Sequence, residues 1–177
     1  MKIYVKNMHC NCCTKLLQLL LEKENLPVSK INKGYVELST KNKDNYNKLI
    51  DFLNKNGFPV IENKDLILVE EIKQAVNELI MNMNNVNSII RKSDYLIEKT
   101  GYSYQYLSRV FSKYEHTTLE KYIINLKITK VKELLLSDEY SLSEIAYMMD
   151  YSSVQYLSAQ FKKVTGKSVT EFKASNQ

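Results

Sequence analysis

The spacing of apolar and polar positions changes partway along the chain, and the change divides it. At the start, MKIYVK sets Ile3 and Val5 against Lys2, Tyr4 and Lys6, the two-residue alternation of a strand with one face inward. TKLLQLLLEKEN then has the composition of a helix, which Pro27 ends. VSKIN and YVELST, parted by Lys33 and Gly34, predict a hairpin whose second strand turns Val36 and Leu38 one way and Glu37 the other. Tyr46, Leu49, Ile50 and Leu53 fall at i, i+3, i+4 and i+7, the stripe of a second helix that Gly57 stops. FPVIE supplies a last short strand. The order β-α-β-β-α-β within residues 1–64 predicts a ferredoxin-like sandwich, a split β-α-β unit.

From Leu66 onward the strand period disappears. Val69, Ile72, Val76, Leu79 and Ile80 form a helical stripe that the Asn-rich NMNNVN interrupts. The stripe spans barely two heptads, too few for a coiled-coil seam, so it is expected to pack within its own domain. The fold class is therefore α+β, with an all-α domain over residues 65–177 following the sandwich.

The all-α part repeats itself. YQYLSRVFSKYEHTTLEKY at 104–122 aligns without a gap on VQYLSAQFKKVTGKSVTEF at 154–172, an offset of 50 residues throughout. A short helix and a tight turn precede each copy, SDYLIEKTGYS before the first and SLSEIAYMMDYSS before the second. Tyr95, Leu96, Leu107 and Phe111 are placed to pin the helices of the first copy, as Ile145, Ala146, Leu157 and Phe161 are in the second. The outer face of each second helix stays free, the arrangement of a helix-turn-helix. Ser141 with Glu144, Thr117 with Glu120 and Ser168 with Glu171 stand at capping-box spacing. Between the copies, residues 118–136 predict one amphipathic helix with Leu119, Tyr122, Ile123, Leu126, Val131, Leu134 and Leu135 inward.

Residues 66–177 resemble the DNA-binding domain of AraC-type bacterial transcription regulators, in which two helix-turn-helix units are joined by a long helix. Asp150 stands where that family's turn usually has Gly, Val169 where it usually has Pro, and Lys127 where the linker helix usually has Arg. The resemblance implies that the second helix of each unit enters a major groove of double-stranded DNA. Carried over by position, the base readers are Gln105, Ser108 and Arg109 in the first unit and Val154, Gln155, Tyr156 and Ser158 in the second. Ser103, Lys113, Ser153, Lys162 and Lys163 are the phosphate contacts. Two plainer readings stand beside these: Tyr106 and Tyr156 cover the edge of the core, and Lys127, Lys130 and Lys132 form a solvated face rather than a phosphate clamp.

Charge changes this picture little. The net +5 is spread as +5 over residues 1–64, −3 over 65–90 and +3 over 91–177, an excess that permits nucleic-acid binding without arguing for it. No run approaches the 18 consecutive apolar residues of a membrane span, and the first 20 residues lack the form of a signal peptide, so a cytoplasmic protein without a membrane partner is expected.

All three cysteines lie in MHCNCC, residues 8–13. Thiols packed this tightly suit ligand or redox chemistry rather than a disulfide framework. Two thiolates two residues apart converge on one soft ion, Cu(I) or Zn(II), and a helix N-terminus favours the thiolate of Cys13. Met8, Cys10 and Cys13 satisfy MxCxxC, and with NGF at 56–58 they resemble the heavy-metal-associated domain of copper chaperones and metal-pumping ATPases. That resemblance implies Cys10 and Cys13 as ligands, Met8 as a buried anchor and Phe58 near the loop; Cys12 and His9 are additional candidates. Asn7 replaces the Gly that commonly precedes the Met.

The two parts together predict a transcription regulator, not an enzyme, controlled through the thiols and engaging RNA polymerase, as a monomer or a dimer. The alternatives are a redox, dimerisation or partner module in place of the metal site, a scaffold that no longer binds metal, and a metal chaperone or sequestering protein whose helical half docks a protein.

Overall fold

The computed structural model describes residues 2–8, 10–24, 26–39, 42–81 and 92–175. His9 and the NMNNVN interruption lie outside the described residues. The chain forms two units, Met1–Gln74 and Ala75–Gln177.

In the first unit, β1 (Lys2–Val5), α1 (Asn11–Glu22), β2 (Val28–Asn32), β3 (Tyr35–Leu38), α2 (Lys43–Lys55) and β4 (Val60–Ile61) follow in the anticipated order. They build a four-stranded sheet in the order β2-β3-β1-β4, in which every adjacent pair is antiparallel. Alternation sets the core: Ile3, Val5, Val36 and Leu38 point inward against Leu17 and Leu21 of α1 and Leu49 and Leu53 of α2. Gly34 closes the β2–β3 hairpin at φ +78°, and a Cβ there would run into the side-chain amide of Gln74. Gln74 and Glu71, which pairs with the Tyr4 hydroxyl, belong to α3 (Lys64–Met81). The first unit thus runs beyond residue 64 into that helix. Burial pushes the Glu71 carboxyl up, against the hydrogen bond from Tyr4.

Two boundaries differ from the sequence reading. Helix α1 begins at Asn11 rather than Thr14, because Cys10 caps it and draws the thiols into its first turn. Strand β4 keeps only Val60 and Ile61 of FPVIE, since Phe58 turns into the core and Pro59 has no N–H to give a ladder.

The second unit holds Ala75–Met81 of α3, then α4 (Lys92–Thr100), α5 (Tyr104–Glu115), α6 (Leu119–Ser137), α7 (Leu142–Met148), α8 (Val154–Thr165) and α9 (Val169–Ala174). Helix α4 packs on α5 and α7 on α8, while α6 touches α5, α7 and α8. Leu96, Leu107 and Phe111 are buried in the first pair, and Ile145, Ala146, Leu157 and Phe161 in the second. The rings of Phe111 and Tyr122 meet at 5.1 Å, and those of Phe161 and Phe172 at 5.4 Å.

The capping boxes at Ser141/Glu144 and Ser168/Glu171 are both complete, and the backbone and hydroxyl donors at each hold Glu144 and Glu171 below the usual carboxylate range. The third slips by one residue. Thr118, with extended backbone, accepts from the N–H of Lys121, and Glu120 falls inside the first turn of α6. Val169 opens α9 without a proline because Ser168 already fixes that end. Lys127 is the clearest departure from expectation. Instead of lying on a solvated face it is 3% exposed, because the α6 stripe of Ile123, Ile128, Val131 and Leu135 turns it inward between α6 and the second pair.

Candidate nucleic-acid interface and thiol loop

Each second helix of the repeat starts on a serine. Ser103 accepts from the N–H of Tyr106 at 3.4 Å and Ser153 from that of Tyr156 at 3.1 Å. Both hydroxyls therefore serve the helix ends, and only their remaining hydrogen-bonding capacity is open to a phosphate. Beyond the caps, burial of Leu107, Val110 and Phe111 turns Gln105 and Arg109 outward with Ser108 half-buried beside them. Burial of Leu157 and Phe161 does the same in α8, exposing Gln155 and Tyr156 and leaving Val154 and Ser158 half-buried. Lys113, Lys162 and Lys163 are exposed further along the two helices. Of the named candidates on the two helices, Gln105, Arg109, Lys113, Gln155, Tyr156, Lys162 and Lys163 are thus exposed.

The two tyrosines differ in exposure. Tyr156 is 53% exposed, with its ring 5.8 Å from that of buried Tyr151, whereas Tyr106 is half-buried. Tyr106 stacks on Tyr102 at 5.1 Å with 24° between planes, and the Arg109 guanidinium lies 5.2 Å from the Tyr106 ring.

Asp150 adopts the left-handed conformation, φ 52°, that the turn before α8 demands, so the residue in place of Gly preserves it. Tyr151 follows, buried, with its hydroxyl donating to Gln160 at 2.8 Å. Burial and the neighbouring Tyr156 push its phenol up to about 12, so it stays a neutral donor. The Lys127 ammonium sits 4.2 Å from the centre of the Tyr151 ring and lines one cleft with Glu120 and Asp150. That network escaped the sequence reading. Its signal was a lysine inside the apolar stripe of a helix, where an unbroken solvated face would have put it on the other side.

In the first unit, the thiols gather where strand β1 passes into α1. The Cys10 and Cys13 sulfurs are 2.8 Å apart, and Cys10 Sγ also accepts from the N–H of Cys13 at 3.2 Å. Hydrogen bonds from the Cys13 thiol and backbone, with smaller ones from Cys12, hold the Cys10 thiol below its ordinary value. Cys10 and Cys12 are exposed, whereas Cys13 is half-buried against the core that contains Met8 and Phe58. Met8 is fully buried. Asn7 takes φ 65°, the conformation a glycine would supply, and its amide donates to the Gly57 carbonyl at 3.3 Å. Among the described residues no group of three or more His, Cys, Asp or Glu side chains is placed to hold an ion. The donor chemistry that remains, two adjacent soft sulfurs, fits a two-coordinate soft cation better than the four-ligand set of structural zinc.

Residues 96–175 match the model of a helix-turn-helix domain family. Over 162 residues, 92% of the chain, the sequence is 26% identical to the xylose operon regulatory protein of Escherichia coli K12. The match covers 36% of that protein, so the chain spans about a third of its relative's length. Two solved structures share the fold. An AraC-type DNA-binding-domain regulator from Chromobacterium violaceum superposes with a TM-score of 0.51 at 23% identity, covering 60% of this chain and 91% of that one. A DNA-binding transcriptional dual regulator from Escherichia coli K-12 gives 0.50 at 17% identity, covering 60% and 92%.

Proposed function

We propose that residues 96–175, which match the helix-turn-helix family model, are an AraC-type DNA-binding domain, and that the chain is a transcription regulator that reads two successive major grooves of one duplex, one with α5 and the other with α8. The observation that carries this is α6. A single unbroken helix of 19 residues joins two helix-turn-helix pairs, and at 1.5 Å per residue it is about 28 Å long, near the roughly 34 Å between grooves on one side of B-DNA. Gln105, Ser108 and Arg109 read bases from α5, and Val154, Gln155, Tyr156 and Ser158 from α8, with Lys113, Lys162 and Lys163 on phosphates. RNA polymerase is the second partner on this reading, the location is cytoplasmic, and the chain acts without enzymatic chemistry of its own. Among the described residues no helix is long and apolar enough to cross a membrane.

For the first unit, the order and pairing of its strands support a ferredoxin-like sandwich bearing a soft-metal site at Cys10 and Cys13, with Cu(I) preferred over Zn(II) and with Cys12 beside it. Cys10 and Cys13 would hold such an ion, which would supply soft Lewis acidity there. The chain's own part is to lower the Cys10 thiol through the hydrogen bonds of Cys13, anchor Met8 below the loop and tie Asn7 to Gly57. Reciprocity then requires metal to change DNA affinity by the factor by which DNA changes metal affinity. The lowered Cys10 thiol with a second sulfur beside it favours one other reading, a redox pair.

Selection of duplexes from a random pool by the full chain, with and without Cu(I) under reducing conditions, tests both halves. Enrichment of one sequence, with affinity falling steeply as salt rises, is expected. Absence of enrichment overturns gene control. A response to Cu(I) that survives Cys10→Ser with Cys13→Ser overturns the metal site.

A further inference from the structure

The two helix-turn-helix pairs, α4–α5 and α7–α8, each carry a tyrosine pair beside the turn, and they use it differently. In both, a tyrosine follows the left-handed residue of the turn: Tyr102 after Gly101, and Tyr151 after Asp150. In both, that ring meets a tyrosine three residues past the serine cap, Tyr106 at 5.1 Å and Tyr156 at 5.8 Å. The second turn has one more residue, Ser152, before its cap. There Tyr151 goes inward, the planes tilt to 59°, and the cation on the ring is Lys127 from α6. In the α4–α5 pair Tyr102 stays 48% exposed, the planes lie within 24°, and the cation is Arg109, one turn further along the open face of α5. Ala159 occupies the position of Arg109 in the α7–α8 pair. A ring left half in water, stacked on another that carries an exposed guanidinium, contributes little to a core.

We propose that Tyr102 and Tyr106 form an aromatic platform that holds the Arg109 guanidinium ready for a base edge, making Tyr106 the positioning residue for guanine reading by the α4–α5 pair. This rests on the DNA-reading function above. A free arginine side chain has many rotamers and loses them when it grips a guanine in bidentate fashion. Stacking on a ring removes part of that freedom beforehand while leaving the N–H fork at the guanidinium edge open. The α7–α8 pair, with Ala159 at the place of the arginine, has no counterpart, so discrimination for guanine is concentrated under α5.

The test uses the full chain and the duplex it enriches from a random pool, compared with the same duplex carrying adenine for each guanine in turn and with an unrelated duplex. The Arg109→Ala variant is expected to lose about tenfold or more of its discrimination at one guanine. Tyr106→Leu is expected to lose about fivefold at that same guanine, keep its affinity for the unrelated duplex within about twofold, and keep its salt slope. Tyr106→Phe, which keeps the ring, should retain discrimination. The inference is overturned if Tyr106→Leu leaves discrimination intact, if Tyr106→Phe loses as much as Tyr106→Leu, or if Tyr106→Leu weakens all duplexes alike as a structural role requires. Failure of the unaltered chain to enrich any duplex would instead overturn DNA reading itself, and this inference with it.

Discussion

A lysine removed from water keeps its charge only where something replaces the solvent. Lys127 has the Tyr151 ring at 4.2 Å and two carboxylates lining its cleft. Shortening it removes both the stem that fills the α6–α8 contact and the cation on the ring. Lys127→Ala should therefore lower the stability of the second unit by about 2 kcal/mol, and Lys127→Met, which keeps the stem, by about half as much. Urea unfolding followed by circular dichroism distinguishes the two; equal losses would mean that the charge, not the stem, matters. Tyr151→Phe removes the hydroxyl that donates to Gln160 and should cost about 1 kcal/mol by the same measurement. Lys127 was not legible as a buried residue because periodicity ranks positions by the average habit of a residue type, and a lysine with an aromatic partner departs from that habit.

Helix ends show most directly which parts of the elements could be read in advance. The boxes at Ser141 and Ser168 were visible because both members are local, three residues apart. The start of α6 was not. His116 closes α5 in the left-handed conformation, and the chain is extended enough to cap only at Thr118. The same holds at α1, where a cysteine does the capping and no propensity rule points to it. Ser141→Ala and Ser168→Ala should each cost about 1 kcal/mol in thermal unfolding. Acid sensitivity follows the same ends. Glu144 and Glu171, and Asp138 paired with Lys173 at 2.7 Å, have folded pKa values depressed below their unfolded ones. Their contribution is present above the ordinary carboxylate range and is lost as pH falls through the depressed values. The melting temperature should therefore drop across that acidic window, and less so in a variant carrying Glu144→Gln and Glu171→Gln. In the hairpin, Gly34→Ala should cost about 1 kcal/mol from its positive φ alone, and pairing it with Gln74→Ala should recover little, since a flexible amide can move aside while the backbone strain remains.

At the scale of the molecule, the repeat was the most legible feature, because an offset of 50 residues survives even where the two copies have diverged. The limit of the first unit was less so: strand signals end near residue 62, yet Glu71 and Gln74 on α3 still pack against its sheet, a contact of high sequence separation that no local pattern reports. The proposed engagement of two grooves makes a length prediction. Duplexes shortened to a single major groove should bind the full chain about a hundredfold more weakly than those spanning both, since the second helix then gains nothing from the tether. Equal affinity, measured by fluorescence anisotropy at fixed salt, would mean that one helix-turn-helix pair does all the reading.

The inequality of the two pairs, with an arginine outward on one and an alanine at its place on the other, gives the molecule a heading. On the proposed reading of two grooves, and unlike a symmetric pair on a palindrome, two different tips fit a stretch of double helix one way round. Each landing place would then behave as an arrow rather than a mirror, and inverting one half of it alone should abolish the fit that inverting the whole leaves intact.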